Sequence, residues 1–436
     1  MTLLCVPLVG RTVEEMEIDA AAAAAAGGDL VEIRLDFIEG FSPREDLPRL
    51  LRSCPLPALV TYRPNWEGGR YDGDDAARFE TLRLAMELGV DYVDIELKVP
   101  IIGLVMSERG LMSRVLSPKF GGYLTFGILD ATKTSASGQP TLEELLDIYN
   151  IRCIGPDTMV LGLIANPVKQ SKSPILHNKC LQSVGYNAVY LPLLADNLAR
   201  FLDTYSAPDF SGFSCSLPFK VDAVHCCHEH DAVAKSIGAI NTIIRKSDGK
   251  LVGYNTDYIG AISAIEDGIG GPGSKDAAVS PLAGRLIVVV GAGGAGKAIA
   301  YGAKKKGARV VVANRTYEKA VTLANALGGQ ALRLADLENF GPEEGMILAN
   351  ATSLGMYPNV DGTPVPKKAL SLYDVVFDAV YAPKDTRLLR EAEECGVKVV
   401  SGVEMFIRQA MGQFEHFTGG IEAPESLMRE IAAKYT

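Results

Sequence analysis

Residues 1–150 alternate short apolar-rich runs with amphipathic stretches. The runs Leu3–Val9, Leu30–Asp36, Pro57–Tyr62, Tyr92–Leu97, Ile101–Met106 and Gly122–Phe126 predict strands. Between them, Val13–Ala26, Arg44–Arg52, Asp75–Leu88, Gly110–Leu116 and Thr141–Tyr149 predict helices. Ala20 to Ala26 is an unbroken alanine run. Alanine is the best helix former, so this run predicts a plain helix that stops at Gly27-Gly28. Repeated βα units with polar residues at the strand ends predict a (β/α) barrel. A complete barrel of eight units needs ~250 residues, so residues 1–150 hold roughly five or six units. Only Lys98, Val99 and Pro100 separate Tyr92–Leu97 from Ile101–Met106. Neighbouring parallel strands need a crossover of about a dozen residues or more. The expectation is a truncated barrel that lacks a piece after Val99 and has unpaired strand edges.

A second α/β block runs from Gly155 to about Glu266. The stretch Asp267–Gly284, with Gly268, Gly270, Gly271, Pro272, Gly273, Ser274 and Pro281, has the composition of a linker. Residues 285–400 form a third block, which opens with the buried parallel strand Leu286–Val290. The tail reads as two helices, Val403–His416 and Pro424–Lys434.

Composition narrows the function. Hydrophobic residues make up 47% of the 436-residue chain, which excludes disorder as the main state. The 53 acidic and 43 basic residues leave a net charge of −10. That argues against a nucleic-acid surface and against anionic membranes. No apolar run reaches the ~18 residues of a membrane span. The eight cysteines are irregularly spaced, which suits a reducing compartment rather than a disulfide framework. The N-terminus reads as a first strand, with no basic or Arg/Ser-rich presequence, so an organelle signal is either lacking or left out.

Leu286–Val290 runs into Gly291-Ala292-Gly293-Gly294-Ala295-Gly296-Lys297, a G-x-G-x-x-G turn followed by the helix Lys297–Lys306. Gly291 permits the tight turn, Gly293 admits a pyrophosphate, and Gly296 allows close helix–strand packing. The helix N-terminus supplies amide donors, with Gly294 in the same turn. A dinucleotide is expected, against the plainer reading of a glycine turn that only packs a helix on a sheet. Where an NAD site carries an acid for the ribose, this chain has Asn314 and Arg315. A guanidinium there suits a 2′-phosphate, so NADP is favoured, with Thr316 and Lys319 as further contacts. The plain alternative is a solvated Arg315.

In the second block three motifs carry polar chemistry: Ser171-Lys172-Ser173-Pro174, then Ser216-Leu217-Pro218-Phe219-Lys220. The third pairs Gly238–Thr242 with Gly253-Tyr254-Asn255-Thr256-Asp257. Short hydroxyls, amides, one Lys and one Asp suit a small polyhydroxylated substrate. A Lys and an Asp in one hydrogen-bonded site can move a proton at a carbonyl or alcohol oxygen. A lone Lys is otherwise usually a solvated charge.

With these motifs the chain closely resembles the plant bifunctional 3-dehydroquinate dehydratase/shikimate dehydrogenase family over nearly its whole length. Further matches are Asn350–Met356, Tyr381-Ala382-Pro383 and Gly402-Val403-Glu404-Met405 through Gln409. The resemblance implies a two-lobed dehydrogenase with a Rossmann NADP domain that reduces 3-dehydroshikimate to shikimate. It implies Lys220 and Asp257 as the catalytic pair. Ser171, Ser173, Ser216, Asn241, Tyr381 and Gln409 would hold substrate, and Thr352 and Met356 would join the cofactor site. For Gln409 to reach the ligand, the tail must return to the second block, giving a cleft that closes. The family usually has Thr where this chain has Ser216, and a common Val where it has Cys215. The missing methyl predicts a roomier pocket that admits quinate. A plastid location is also implied, with the cytoplasm as the alternative.

In the first block the resemblance implies Glu32, Arg34, Arg63, Arg114, Ser135 and Gln139 as dehydratase substrate contacts. That enzyme class uses a Schiff-base lysine and a histidine, which the family carries in the segment inferred to be missing. The five histidines are His177, His225, His228, His230 and His416, and the only lysines in the block are Lys98, Lys119 and Lys133. Without the amine there is no covalent intermediate, so dehydratase activity is expected to be lost. The alternative is a first half that acts as a non-catalytic scaffold. The run His225-Cys226-Cys227-His228-Glu229-His230 lies in one short helical segment without metal-ligand spacing, so no metal is expected.

Overall fold

The computed structural model describes residues 2–94, 110–134, 138–169, 171–270, 279–341 and 343–435. The expected strand Ile101–Met106, the end of Tyr92–Leu97 and the position after Val99 lie outside the described residues. The fold is α/β throughout, in two compact units, residues 1–158 and 159–436. Among the described residues no helix is long and apolar enough to cross a membrane.

In the first unit β1 (Leu3–Leu8), β2 (Leu30–Arg34), β3 (Ala58–Thr61), β4 (Tyr92–Asp94) and β5 (Leu124–Phe126) form a parallel sheet in the order β4-β3-β2-β1-β5. The alanine run is helical, within Val13–Ala25. Thr12 caps the helix by accepting from the Glu15 amide at 3.2 Å. Val13, Met16, Ala20 and Ala23 are buried at helical spacing, which fixes the face that packs on the sheet. Among the described residues the two outer strands stay unpaired, as expected. β4 and β5 end opposite sides of the sheet, yet the Tyr92 and Tyr123 hydroxyls are 2.7 Å apart. The sheet therefore curls until side chains of its two edges meet.

The second unit has two sheets. β6 (Met159–Ala165), β7 (Ala188–Leu194), β8 (Phe210–Cys215), β9 (Glu229–His230), β10 (Thr242–Arg245) and β11 (Leu251–Tyr254) form a mixed sheet ordered β7-β6-β8-β10-β11-β9. β12 (Leu286–Val290), β13 (Arg309–Asn314), β14 (Gln330–Arg333), β15 (Met346–Asn350), β16 (Tyr373–Asp378) and β17 (Lys398–Val400) form a parallel sheet ordered β14-β13-β12-β15-β16-β17. That order is the Rossmann arrangement, with its switch point between β12 and β15. Helix Gly402–Phe417 leaves this sheet and packs against Asp257–Gly270, β8 and β10.

Two local expectations are corrected. Helix Asp257–Gly270 continues into the stretch read as a linker. A Cβ at Gly268 would meet Val400 Cγ2 at 2.3 Å, so this glycine serves close packing rather than flexibility. The run from His225 to His230 is not one helix. Helix Ala223–Cys226 stops, and Glu229 and His230 pair with Val252 and Gly253. The Leu251 amide donates to His228 Nδ1 at 3.0 Å, so edge pairing overrides the helix. Among the described residues no group of three His, Cys, Asp or Glu side chains could hold a metal.

Candidate active site

A cleft of about 1230 Å³ lies between the two sheets of the second unit. On one wall the loop after β8 carries Ser216 and Lys220, and the β11 end leads into Asp257 at the start of its helix. Lys220 Nζ donates to Asp257 Oδ2 at 2.6 Å. Asp257 is buried, with only 3% of its side chain exposed, whereas Lys220 keeps 17% open to the cleft. Asn241 Nδ2 donates to Asp257 Oδ1 at 3.0 Å and to Thr256 Oγ1 at 2.8 Å. Asn241 Oδ1 accepts from the Thr256 amide at 2.9 Å, which fixes the orientation of the amide. Asn255 holds the next turn through the Asp257 amide at 3.0 Å. Both carboxylate oxygens of Asp257 are therefore engaged, and Lys220 is the more exposed member of the pair.

The other expected substrate residues converge on the same cleft. Ser171, Ser173, Ser216, Tyr381 and Gln409 all line it. The Tyr381 ring stacks on Phe406 with centroids 4.3 Å apart, and its phenol interacts with Ser171. Thr256 Oγ1 donates to the Gln409 carbonyl at 2.9 Å, which ties helix Gly402–Phe417 to the turn that carries Asp257. The residue reading missed a buried chain behind this wall. Tyr190 Oη donates to Ser214 Oγ (2.7 Å), Ser214 Oγ to Gln413 Oε1 (2.9 Å), and Gln413 Nε2 to the Asn241 carbonyl (2.9 Å). Gln413 stands one helical turn after Gln409, a spacing that could have revealed it. His177 stacks on Tyr190 at 4.5 Å, and burial pushes its imidazole down to about 3, so it is neutral near pH 7.

The opposite wall is the glycine turn. Gly291 has φ +112°, and a Cβ on Gly296 would lie 1.9 Å from the Gly291 carbonyl. A Cβ on Gly294 would meet Lys220 Cβ at 2.6 Å, so the bare helix start lets the loop that carries Lys220 pack against it. A Cβ on Gly293 would meet nothing within 4 Å, leaving room for a phosphate. Asn314, Arg315, Lys319, Thr352 and Met356 line the same cleft, whereas Thr316 stands at the N-cap position of the following helix, with no side-chain cap bond, and does not line it. Arg315 and Lys319 are exposed and make no ion pair among the described residues. The donor set fits a dinucleotide with an added phosphate: free amides at the turn, then two uncommitted cations beyond β13.

In the first unit the strand register places Arg34, Thr61 and Asp94 in one row. Arg34 grips Asp36 with two bonds of 2.9 and 2.8 Å, and Arg63 pairs with Asp94. Glu32 is buried beside them. Burial pushes its carboxyl above the usual range, against the fields of Arg34 and Arg63. Arg114 is buried, donates to the Gly138 carbonyl at 3.3 Å, and its charge is disfavoured by burial. Gln139 accepts from Thr134 at 3.2 Å, and Ser135 lies outside the described residues. Lys119 is buried and donates to the carbonyls of Pro156 and Thr158 at 2.7 and 2.8 Å. Lys133 is paired with buried Asp19, and Lys98 lies outside the described residues.

Comparison with known proteins identifies the family. The family model of type I 3-dehydroquinase matches residues 4–100 and 97–156. Models of the shikimate dehydrogenase substrate-binding domain, shikimate/quinate 5-dehydrogenase and the shikimate 5′-dehydrogenase C-terminal domain match residues 163–243, 275–354 and 402–432. The chloroplastic bifunctional 3-dehydroquinate dehydratase/shikimate dehydrogenase of Arabidopsis thaliana is 52% identical over 511 aligned positions, covering 100% of this chain and 85% of that one. The shikimate dehydrogenase (NADP(+)) of Methanocaldococcus jannaschii is 37% identical over 295 positions, 65% of this chain and 99% of its own. A crystal structure of shikimate 5-dehydrogenase from Thermus thermophilus with NADP(H) and shikimate is 31% identical with a TM-score of 0.54, covering 64% of this chain and 100% of that one.

Proposed function

This chain belongs to the family of bifunctional 3-dehydroquinate dehydratase/shikimate dehydrogenases, and we propose that it retains only the second activity. It is an NADP-dependent shikimate dehydrogenase. Residues 155–266 with 402–436 form the substrate lobe, and residues 285–400 form the NADP lobe. Bound NADPH supplies the hydride that reduces 3-dehydroshikimate to shikimate. The chain's own residues do the rest. Ser171, Ser173, Ser216, Asn241, Tyr381 and Gln409 hold the hydroxyls and carboxylate of the substrate. Lys220 Nζ delivers the proton to the carbonyl oxygen, and Asp257 holds that nitrogen in place. Gly291, Gly293, Gly294 and Gly296 would hold the pyrophosphate, and Thr352 and Met356 would complete the cofactor site. Asn314, Arg315, Thr316 and Lys319 select the 2′-phosphate. The observation that carries this reading is the 2.6 Å Lys220–Asp257 pair, set in the cleft against the glycine turn. Steady-state reduction of NADP by shikimate tests it, and absence of turnover refutes it.

For the first unit, loss of dehydratase activity rests on its amines. Lys119 is buried on two carbonyls, Lys133 is paired, and no histidine precedes His177. An internal deletion near Val99 is supported by the family model, which matches in two pieces meeting at 97–100, and by an alignment longer than the chain itself. Glu32, Arg34, Arg63, Arg114, Ser135 and Gln139 are then remnants of a substrate site. The chloroplastic relative supports a plastid location.

A further inference from the structure

In the second unit the mechanism above leaves a buried acid unused. Asp378 ends β16 and is completely buried, in register with Asn350 at the end of β15. Both strand ends open onto the cleft, and each begins a different wall of it. The loop after Asn350 carries Thr352, Leu354 and Met356 on the cofactor side. The loop after Asp378 carries Tyr381 on the substrate side.

Asp378 Oδ1 accepts from both. Asn350 Nδ2 donates to it at 2.9 Å, and the Val380 amide donates to it at 3.0 Å. Asn350 Oδ1 in turn accepts from the Thr352 amide at 3.0 Å and from Thr352 Oγ1 at 2.8 Å. The Ala379 amide donates to the Asn350 carbonyl at 2.9 Å, a second tie between the two strand ends. Asp378 Oδ2 accepts from Thr386 Oγ1 at 2.7 Å. Thr386 then caps helix Arg387–Glu394, accepting from the Leu389 amide at 3.3 Å. A carboxylate taken out of water is costly unless its lone pairs are filled. Here burial pushes the Asp378 carboxyl up to about 6, although all three donors oppose the shift. An apolar residue would suffice if this position only filled the core. The acid instead gives the strand end that leads to the cofactor loop and the one that leads to the substrate loop a shared acceptor atom.

We propose that Asp378 is a positioning residue that couples cofactor binding to substrate binding, through Oδ1 shared between Asn350 and Val380. Ordering the Thr352–Met356 loop on NADPH fixes Asn350, which fixes Asp378, which fixes the backbone leading to Tyr381. Coupling of this kind is reciprocal, so substrate tightens cofactor binding by the same factor. The inference rests on the shikimate dehydrogenase reading of the cleft.

The test is calorimetric titration of the full chain with shikimate, with and without saturating NADPH. These two form a dead-end pair that does not turn over. Wild type should bind shikimate at least about fivefold tighter with NADPH present. Asp378→Ala should bring that ratio within about twofold of one, whereas Asp378→Asn, which keeps an oxygen acceptor, should restore it. Thr386→Val cuts only the helix-cap leg, so it should lower the melting temperature and leave the ratio intact. A purely structural Asp378 would lower the folded fraction without changing the ratio among folded molecules. A folded Asp378→Ala protein with the wild-type ratio, or a wild type with a ratio of one, overturns the proposal. If Asp378→Ala does not fold, Asn350→Ser severs the cofactor leg alone and must lose the ratio. A wild-type protein that binds neither ligand overturns the reading of the cleft instead.

Discussion

Replacing Lys220 by methionine isolates its charge. The Lys220 stem packs against the bare Gly294 turn, where a Cβ would sit 2.6 Å from Lys220 Cβ. Truncation to alanine would therefore confuse lost packing with lost chemistry, whereas methionine keeps the stem. Two effects follow. Proton delivery by a positioned side chain contributes about 10²–10⁴-fold, so kcat for 3-dehydroshikimate reduction should fall by that amount. The Michaelis constant for NADPH should stay within about threefold, because the cofactor contacts stand on the other wall. The second effect is on stability. Stranding one member of a buried ion pair costs about 3–5 kcal/mol. Lys220 is 17% exposed, and Asn241 still donates to Oδ1 at 3.0 Å, so the cost should lie at or below the low end. The assay is oxidation of NADPH followed by absorbance, paired with a urea melt of the same preparation. A folded Lys220→Met protein with kcat within threefold of wild type would refute the assignment of Lys220 as the proton donor.

Three more expectations are open to test. Arg315→Ala should raise the Michaelis constant for NADPH about tenfold or more, the worth of a charge-assisted bond, and leave that for NADH unchanged; equal effects on both cofactors would contradict the 2′-phosphate assignment. Asp378 has a folded-state pKa raised from 3.8 to about 6 by burial, so its favourable contribution is complete below 3.8 and is lost as pH rises through about 6. The melting temperature of Asp378→Asn relative to wild type should therefore climb between pH 4 and pH 7, and a flat difference would show that the carboxyl is not shifted. Borohydride treatment with 3-dehydroquinate should leave no reduced adduct on any lysine by mass spectrometry; an adduct on Lys98, Lys119 or Lys133 would show that another amine has taken over.

Much of this molecule was legible because its signals are local. Apolar strands bounded by glycine gave the alternating α/β order, and Leu286–Val290 followed by Gly291–Gly296 marked the Rossmann start. The motifs Ser216–Lys220 and Asn255-Thr256-Asp257 offered a Lys and an Asp, and the family resemblance, not the spacing, singled out Lys220 and Asp257. Long-range packing was not legible. Gly268 looked like a linker residue because its partner, Val400, is far away in sequence. The His225–His230 segment looked helical because the strand that captures its end, Leu251–Tyr254, comes later in the chain. Tyr190, Ser214, Gln413 and Asp378 were invisible for the same reason. Each is an ordinary polar residue until folding buries it beside a donor or acceptor from another element. The tyrosine pair that draws the edges of the first sheet together depends on the curl of the whole sheet.

The most direct measurement is a paired steady-state assay on the purified full chain. One reaction follows reduction of NADP by shikimate, and the other follows enone absorbance from 3-dehydroquinate. The account predicts turnover in the first and none in the second. Turnover in both would contradict it, because the first unit would then be doing Schiff-base chemistry without the lysine and histidine the family uses.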